Sequence, residues 1–386
     1  RLLKVERKEM YIVNDQLDGS ITIYQVHMEK LTMLDYVKET PGVLRTNIEQ
    51  YTALVEPLMK EVQQKEIKRI LLVASGSSHN ACYCARSFVE KVSGLEVRII
   101  TPYTFTYYEN DIKENDLVLV VTQSGLSTNA IEALKIIKKK QCRAICLTGN
   151  KNSDVKDVAD VVIEYGVGEE LVGYVTKGVS TLALFLDLFA ITYSGKTEYL
   201  EELKKAVNLN EEMIEKATEF IELHYKEFSS MSWVYSCGAG ANYGTALESA
   251  LKMGETIHIP SCCYEIEEYI HGPNLQLTPQ YNVIFFDGND GASHRVEQVY
   301  KATRKVSNRA YLISNNPQLV MDDHVLSLSG IVSSELCPLV YLPFVQLLSF
   351  IISNDLHSIY QHPLLKEFKA IAAAKTENFV NYDGDD

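Results

Sequence analysis

Two short stretches carry more hydroxyls than a strand-to-helix turn needs. Thr122-Gln123-Ser124-Gly125-Leu126-Ser127 follows an apolar run ending at Val121, and Ser75-Gly76-Ser77-Ser78 follows one ending at Ala74. Hydroxyl donors beside the free N–H groups of a helix start can hold the oxygens of a phosphate monoester without any Lys or Arg. One such loop is often only an N-cap; two at matching positions point to an anion site. A second group is Glu248, Lys252 and Glu255, spaced i, i+4, i+7 and therefore on one helix face. Ala246, Leu247, Ala250, Leu251 and Met253 surround this stripe, so the helix is otherwise apolar. A carboxyl shielded from water there titrates nearer neutrality and suits proton shuttling, with Lys252 limiting the rise. His271, just before Gly272-Pro273, adds an imidazole that can exchange a proton with a sugar ring oxygen or a leaving amine. His79 and His258 lack such company. The Cys262-Cys263 pair reads as packing, and no Cys or His set has metal-ligand spacing, so neither a metal nor a cofactor is expected.

Positioning these groups calls for a parallel sheet. "RILLVASGSS", "LEVRIITP", "DLVLVVTQSG", "CRAICLTGN" and "DVVIEYG" are near-continuous apolar strands alternating with helical segments, the pattern of a sheet covered on both faces. Long helices are predicted from about Thr176 to Ser194 and from about Tyr199 to Phe228. The rhythm then repeats: "WVYSCGAGAN" answers "LLVASGSSHN", "YNVIFFDGND" answers "LVLVVTQSG", and "RAYLISNN" and "HVLSLSG" supply further strands. The expected fold class is α/β, two tandem flavodoxin-like units, each with a parallel sheet flanked by helices. The expected division is an N-terminal hairpin or relic extension over 1–30, a first, phosphate-binding unit over 31–200, a second over 201–360 and a tail over 361–386. Asp18-Gly19 marks the hairpin turn. No linker is rich in Pro or Gly, so the halves should pack together. The second copy has lost the hydroxyls: its loops read Cys237-Gly238-Ala239-Gly240-Ala241 and Asp287-Gly288-Asn289-Asp290, whose acids would repel phosphate.

The 386 residues carry a formal net charge of −14. That balance argues against nucleic acid or an anionic membrane as partner. With no run of about eighteen apolar residues and eight cysteines that read as reduced thiols, a cytoplasmic protein is expected.

The loops "SGSS" and "TQSGLST", with "GEELVGYVTKG", "GANYGTALESALKMGE" and "EEYIHGP", resemble the double sugar isomerase (SIS) family, which includes the isomerase half of glucosamine-6-phosphate synthase and stand-alone phosphosugar deglycases. The likeness covers roughly residues 33 to 376. It implies two SIS domains and a sugar 6-phosphate ligand. Ser78, Thr122, Gln123, Ser124 and Ser127 would contact the phosphate and Ser77 would lie beside the sugar. Glu255 would carry the proton, and His271 would act from the neighbouring subunit of a homodimer. Lys375, in "AAAKTEN", would cover the site or form an imine; Glu248 and Lys252 match the supporting helix motif. Val175 stands where the synthase has a serine. No glutaminase nucleophile domain is seen, and residues 4 to 26 look like the last hairpin of one. The expected activity is a deglycase splitting a fructosamine or glucosyl-amino-acid 6-phosphate. The alternatives are an aldose–ketose isomerase, a glucosamine-6-phosphate deaminase, the isomerase half of a synthase or, from another class, a non-catalytic sugar-phosphate sensor. A sensor would need a DNA-binding segment, and residues 1 to 66 are not basic.

Overall fold

The computed structural model describes residues 6–14, 21–29, 31–63, 65–319, 322–358 and 364–380. Strand β1 (Glu6–Asn14) pairs antiparallel with β2 (Ile21–Glu29), Ile12 opposite Ile23; the Asp18-Gly19 turn lies outside the described residues. Helices α1 (Met33–Glu49) and α2 (Tyr51–Val62) follow. Asp35 reaches back to the Thr32 N–H at 2.7 Å and fixes the start of α1.

The first sheet is built from β3 (Arg69–Ala74), α3 (Ser77–Ser93), β4 (Glu96–Ile100), α4 (Pro102–Tyr107), β5 (Asp116–Thr122), α5 (Thr128–Lys139), β6 (Ile145–Thr148) and β7 (Val161–Glu164). Its strands are all parallel, in the order β4-β3-β5-β6-β7. Arg69 and Asp116 pin the starts of β3 and β5 through a two-pronged ion pair at 2.9 and 2.7 Å. Helices α6 (Lys177–Ser194), α7 (Tyr199–Leu223) and α8 (Tyr225–Ser229) lead on. The single helix expected to reach Phe228 is thus broken at His224, whose backbone leaves the helical region.

The second sheet repeats the plan with β8 (Val234–Gly238), α9 (Asn242–Lys252), β9 (Ser261–Glu265), α10 (Ile266–Ile270), β10 (Asn282–Asp287), α11 (Ser293–Arg304), β11 (Ala310–Ser314) and β12 (Val325–Ser327), followed by α12 (Cys337–Asp355) and α13 (Leu365–Ile371). Its order, β12-β11-β10-β8-β9, is the first order read from the other edge. The sequence left β9 unforeseen.

Strand alternation divides the core. Ile70, Leu72 and Ala74 of β3 and Ile284 and Phe286 of β10 face one continuous cluster running from Val37 to Ile352. Leu71 and Val73 face a separate outer cluster, as do Val283 and Phe285 on the other sheet. The two sheets therefore share one central core, and the halves pack together as the linker composition predicts. Helix α12 is long and apolar enough to cross a membrane, but 94% of that window is buried, which makes it a central packing helix.

Candidate functional site

The loop after β5 is shaped by Gly125. Its φ is +66°, and a Cβ there would lie 1.7 Å from Ser153 Oγ, so only glycine fits. The turn presents Ser124, whose Oγ accepts from the Leu126 N–H at 3.3 Å, and Ser127, which begins α5 and accepts from Thr122 Oγ1 at 3.2 Å. The loop after β3 turns on Gly76, φ +59°, and puts Ser77 and Ser78 in the first turn of α3. Both loops thus sit at the carboxyl ends of neighbouring central strands, each leading into a helix start, where the Thr128 N–H of α5 is taken by the Ala374 carbonyl at 3.1 Å.

Gln123 is fixed by a residue the sequence quoted only within a motif. Its Nε2 donates to Glu170 at 2.6 Å, and its amide oxygen lies where a Cβ on residue 178 would come within 2.5 Å, so Gly178 is required there. Glu170 also accepts the N–H groups of Thr176, Lys177 and Gly178 at 2.6, 2.9 and 2.8 Å. It caps α6 from a distance, which explains the Glu-then-Thr-Lys spacing. Burial pushes its carboxyl up, while these N–H donors pull it down.

The stripe on α9 does not continue as a plain α-helix. After Lys252 the chain forms a π-helical turn, Met253–Ile257, closed by His258 at φ +62°. Glu248 and Lys252 are fully buried, whereas Glu255 is about 30% exposed at its side chain. Glu248 and Lys252 join the halves. Glu248 accepts from Ser77 Oγ at 3.0 Å and Asn80 Nδ2 at 2.8 Å, both on α3. Lys252 Nζ lies 3.0 Å from Glu248, 3.0 Å from Ser77 Oγ and 2.5 Å from Glu255. Burial pushes Glu248 up against the pull of Lys252, so the rise expected for the stripe falls on this residue. Burial alone would lower Lys252, but the two carboxylates override it and hold the ammonium above its ordinary range. Gly244 lets α9 approach α3: a Cβ there would be 2.5 Å from the Cys84 backbone nitrogen.

Lys375 arrives from the tail. Residues Ser127 and Lys375 form an antiparallel bridge, and Lys375 Nζ donates to Ser124 Oγ at 3.0 Å and Ser127 Oγ at 2.9 Å. Ser77, Ser78, Thr122, Gln123, Ser124, Ser127, Glu255 and Lys375 all line one cavity of about 630 Å³. The loop from Val167 to Gly173, including Glu169 and Glu170, forms another wall, together with Val175. Glu248 and Lys252 lie beneath it. His271 is not part of it: the residue is exposed at the end of α10, and its Nδ1 lies 2.6 Å from the Glu267 carbonyl. That acceptor requires the proton on Nδ1 and leaves Nε2 free. His79 is half-buried against Tyr83, and burial lowers its pKa. Asp322, Asp323 and His324 could together offer ligand atoms to an ion, but they do not line the cavity.

Glu169, Glu170, Asn129 and Phe379 are cavity residues that sequence reasoning did not name as such. The "GEELVGYVTKG" motif was the available signal for the two glutamates.

The SIS domain profile matches residues 65–192. A glutamine–fructose-6-phosphate aminotransferase (isomerizing) of Clostridium tetani is 27% identical over 62% of this chain and 42% of its own length. One from Idiomarina loihiensis is 25% identical over 83% and 55%. The chain thus spans about half or less of the length of these curated relatives. Among solved structures, a candidate phosphosugar isomerase from Clostridium difficile 630 superposes with a TM-score of 0.79 at 24% identity, over 90% of this chain and 100% of that one. The C-terminal domain of glucosamine-fructose-6-phosphate aminotransferase from Francisella tularensis gives 0.72 at 22%, over 84% and 96%. A glucosamine-6-phosphate deaminase from Thermotoga maritima gives 0.69 at 21%, over 83% and 93%. Residues 65–192 thus match a SIS domain, and the tandem α/β fold of the whole chain is shared with these solved structures.

Proposed function

We propose that the chain is an enzyme that moves a proton between C1 and C2 of a 6-phosphorylated sugar, and that its substrate is a sugar–amine adduct from which this shift releases the amine. One observation carries the reading: a hydroxyl-lined cradle from one half and the Glu255 carboxylate from the other line the same cavity. Phosphate held at Ser78, Thr122, Gln123, Ser124 and Ser127, with Ser77 beside the sugar, would fix the chain of the opened sugar against Glu255. In a fructosamine 6-phosphate, Glu255 takes the proton from C1 to give an enaminol and returns it to C2. The product is an imine between C1 and nitrogen. Water adds at C1, the C–N bond breaks, and hexose 6-phosphate and free amine leave. Lys252, 2.5 Å away, orients the Glu255 carboxylate. The cavity continues past these groups to the Glu169 loop, and its volume falls within the roughly 300–1,000 Å³ usual for small-molecule sites. A hexose phosphate fills only part of it, and the remainder suits the amine portion.

Side-by-side assays of amine release and hexose 6-phosphate isomerisation, over a panel of 6-phosphorylated adducts, test this. Amine release with higher kcat/KM than isomerisation is expected, because the amine portion adds binding energy usable in the transition state. Fast isomerisation with no amine released from any adduct would replace the deglycase reading with an isomerase.

His271, exposed and outside its own chain's cavity, serves the cavity of a second copy in a homodimer. Its free Nε2 can assist ring opening there. Mixing His271→Ala with Ser124→Ala subunits should then restore activity, since each hybrid holds one intact site. No recovery after verified subunit exchange would put the site within one chain.

A further inference from the structure

The cavity of the described chain has one Lys or Arg in its lining, Lys375. Two backbone bonds tie its segment to the loop after β5: Thr128 N–H to the Ala374 carbonyl at 3.1 Å, and Thr376 N–H to the Leu126 carbonyl at 2.9 Å. Asn378 adds a bond to Asp154 at 2.9 Å. The strap so formed aims Lys375 at Ser124 and Ser127, two of the hydroxyls assigned to phosphate. The ring of Phe379 lies 5.6 Å from the ammonium.

This is an unusual setting for a cation. Its partners are two neutral hydroxyls and an aromatic face, and no carboxylate among the described residues pairs with it. Burial accordingly lowers its pKa with no anion to oppose the fall. Other partly buried cations of the chain do have anions: Lys252 has two carboxylates, Arg69 has Asp116, and Lys177 has Glu39 at 3.1 Å. A shielded charge without a counter-charge is costly, and the cost is removed when an anion arrives. Ser124 and Ser127 can turn their O–H groups to an incoming oxygen while Lys375 keeps a proton directed at the same place.

We propose that Lys375 is the counter-cation of the substrate's phosphate, delivered over the cradle by the C-terminal strap. This rests on the phosphate reading of the cradle and adds to it the group that selects a dianionic ester over a neutral sugar. It also amends the view that hydroxyls and helix N-termini suffice: the cation is present, but it comes from the far end of the chain.

Calorimetric titration of inorganic phosphate into the full chain, at fixed ionic strength, tests this with wild type, Lys375→Met, Lys375→Arg and Ser124→Ala. Lys375→Met should bind phosphate roughly tenfold or more weakly, the loss of one charged hydrogen-bonded contact. Lys375→Arg should stay close to wild type, because the charge is kept. If Lys375→Met binds as well as wild type while Ser124→Ala is weakened, the proposal fails and the cradle stands. Equal losses in the Met and Arg variants would also overturn it, since charge would not be the cause. If wild type itself binds no phosphate, both the cradle reading and this proposal fall.

Discussion

The two halves of the chain share a strand order and differ in what they place at the same two loops. In the first, the loop after β5 leaves Ser124 and Ser127 facing a cavity. In the second, the strand equivalent to β5 ends in Asp287, and the neighbouring hydroxyls turn inward to it: Ser293 Oγ, at the start of α11, donates at 2.5 Å and Ser314 Oγ at 2.8 Å. Asp287 is fully buried, and burial pushes its carboxyl up against the pull of these serines. The sequence reading expected the acids here to repel phosphate. The structure adds that Asp287 already fills the place, a built-in carboxylate at a helix N-terminus where the first half leaves Ser124 and Ser127 open to the cavity. A duplicated fold has thus divided its labour. One copy keeps its hydroxyl loop open to the cavity, and the other fills its own with Asp287 and contributes Glu255 to that cavity through the π-turn after α9.

If that division holds, the largest effect comes from the carboxylate the second half contributes, Glu255. Glu255→Gln keeps the shape and removes the base, so turnover should fall roughly 10²–10⁴-fold. Phosphate affinity should be little changed, because the cradle belongs to the other half. A variant with near wild-type turnover would remove Glu255 from the chemistry; one that also lost phosphate binding would show that the halves do not divide the work.

The seam between the halves comes next. Glu248→Gln leaves the buried Lys252 with Glu255 as its remaining carboxylate partner. Stability should fall by about 3 kcal/mol, the lower end for breaking a buried ion pair. Urea unfolding would read this as a lower midpoint at unchanged slope. An unmoved midpoint would mean that the apolar contacts between α3 and α9 hold the seam without the charges.

The sequence disclosed these parts unevenly. Strands β3, β5, β8 and β10 were legible because burial on both faces makes them near-continuous apolar runs, and the spacing of their loops exposed the duplication. Strand β9, Ser-Cys-Cys-Tyr-Glu, was not, because it lies at the sheet edge and is only half-buried. The π-turn was hidden for a different reason: nothing in residue types separates one wide turn from an α-helix that simply continues. The position of Lys375 could come only from the resemblance, since it depends on the tail folding back across 248 residues to Ser127. The exposure of His271 was likewise beyond pattern reading. The family likeness named the residue, and only the fold shows that its own cavity does not include it.

The smallest expected effect separates the two central helices. In α12 the buried Gln346, Ser349 and Ser353 are neutral and donate to backbone: Gln346 to Thr176 at 2.8 Å, Ser349 to Gln346 at 2.9 Å and Ser353 to Phe350 at 3.1 Å. In α6 the corresponding region holds Asp187, 2% exposed, with Oδ1 lacking a hydrogen-bond partner. Burial pushes its carboxyl well above the ordinary aspartate range. A raised carboxyl binds its proton more tightly in the folded chain than in the unfolded one. Its contribution to stability is therefore complete below the unfolded value, 3.8, and is lost as pH rises through the folded value. Asp187→Asn cannot ionise, so its stability should fall less between acid and mildly alkaline pH. The two profiles should therefore diverge as pH rises, with wild type losing the more stability toward the alkaline end. Parallel profiles would mean that Asp187 finds a partner on ionisation, and would erase this contrast between α6 and α12.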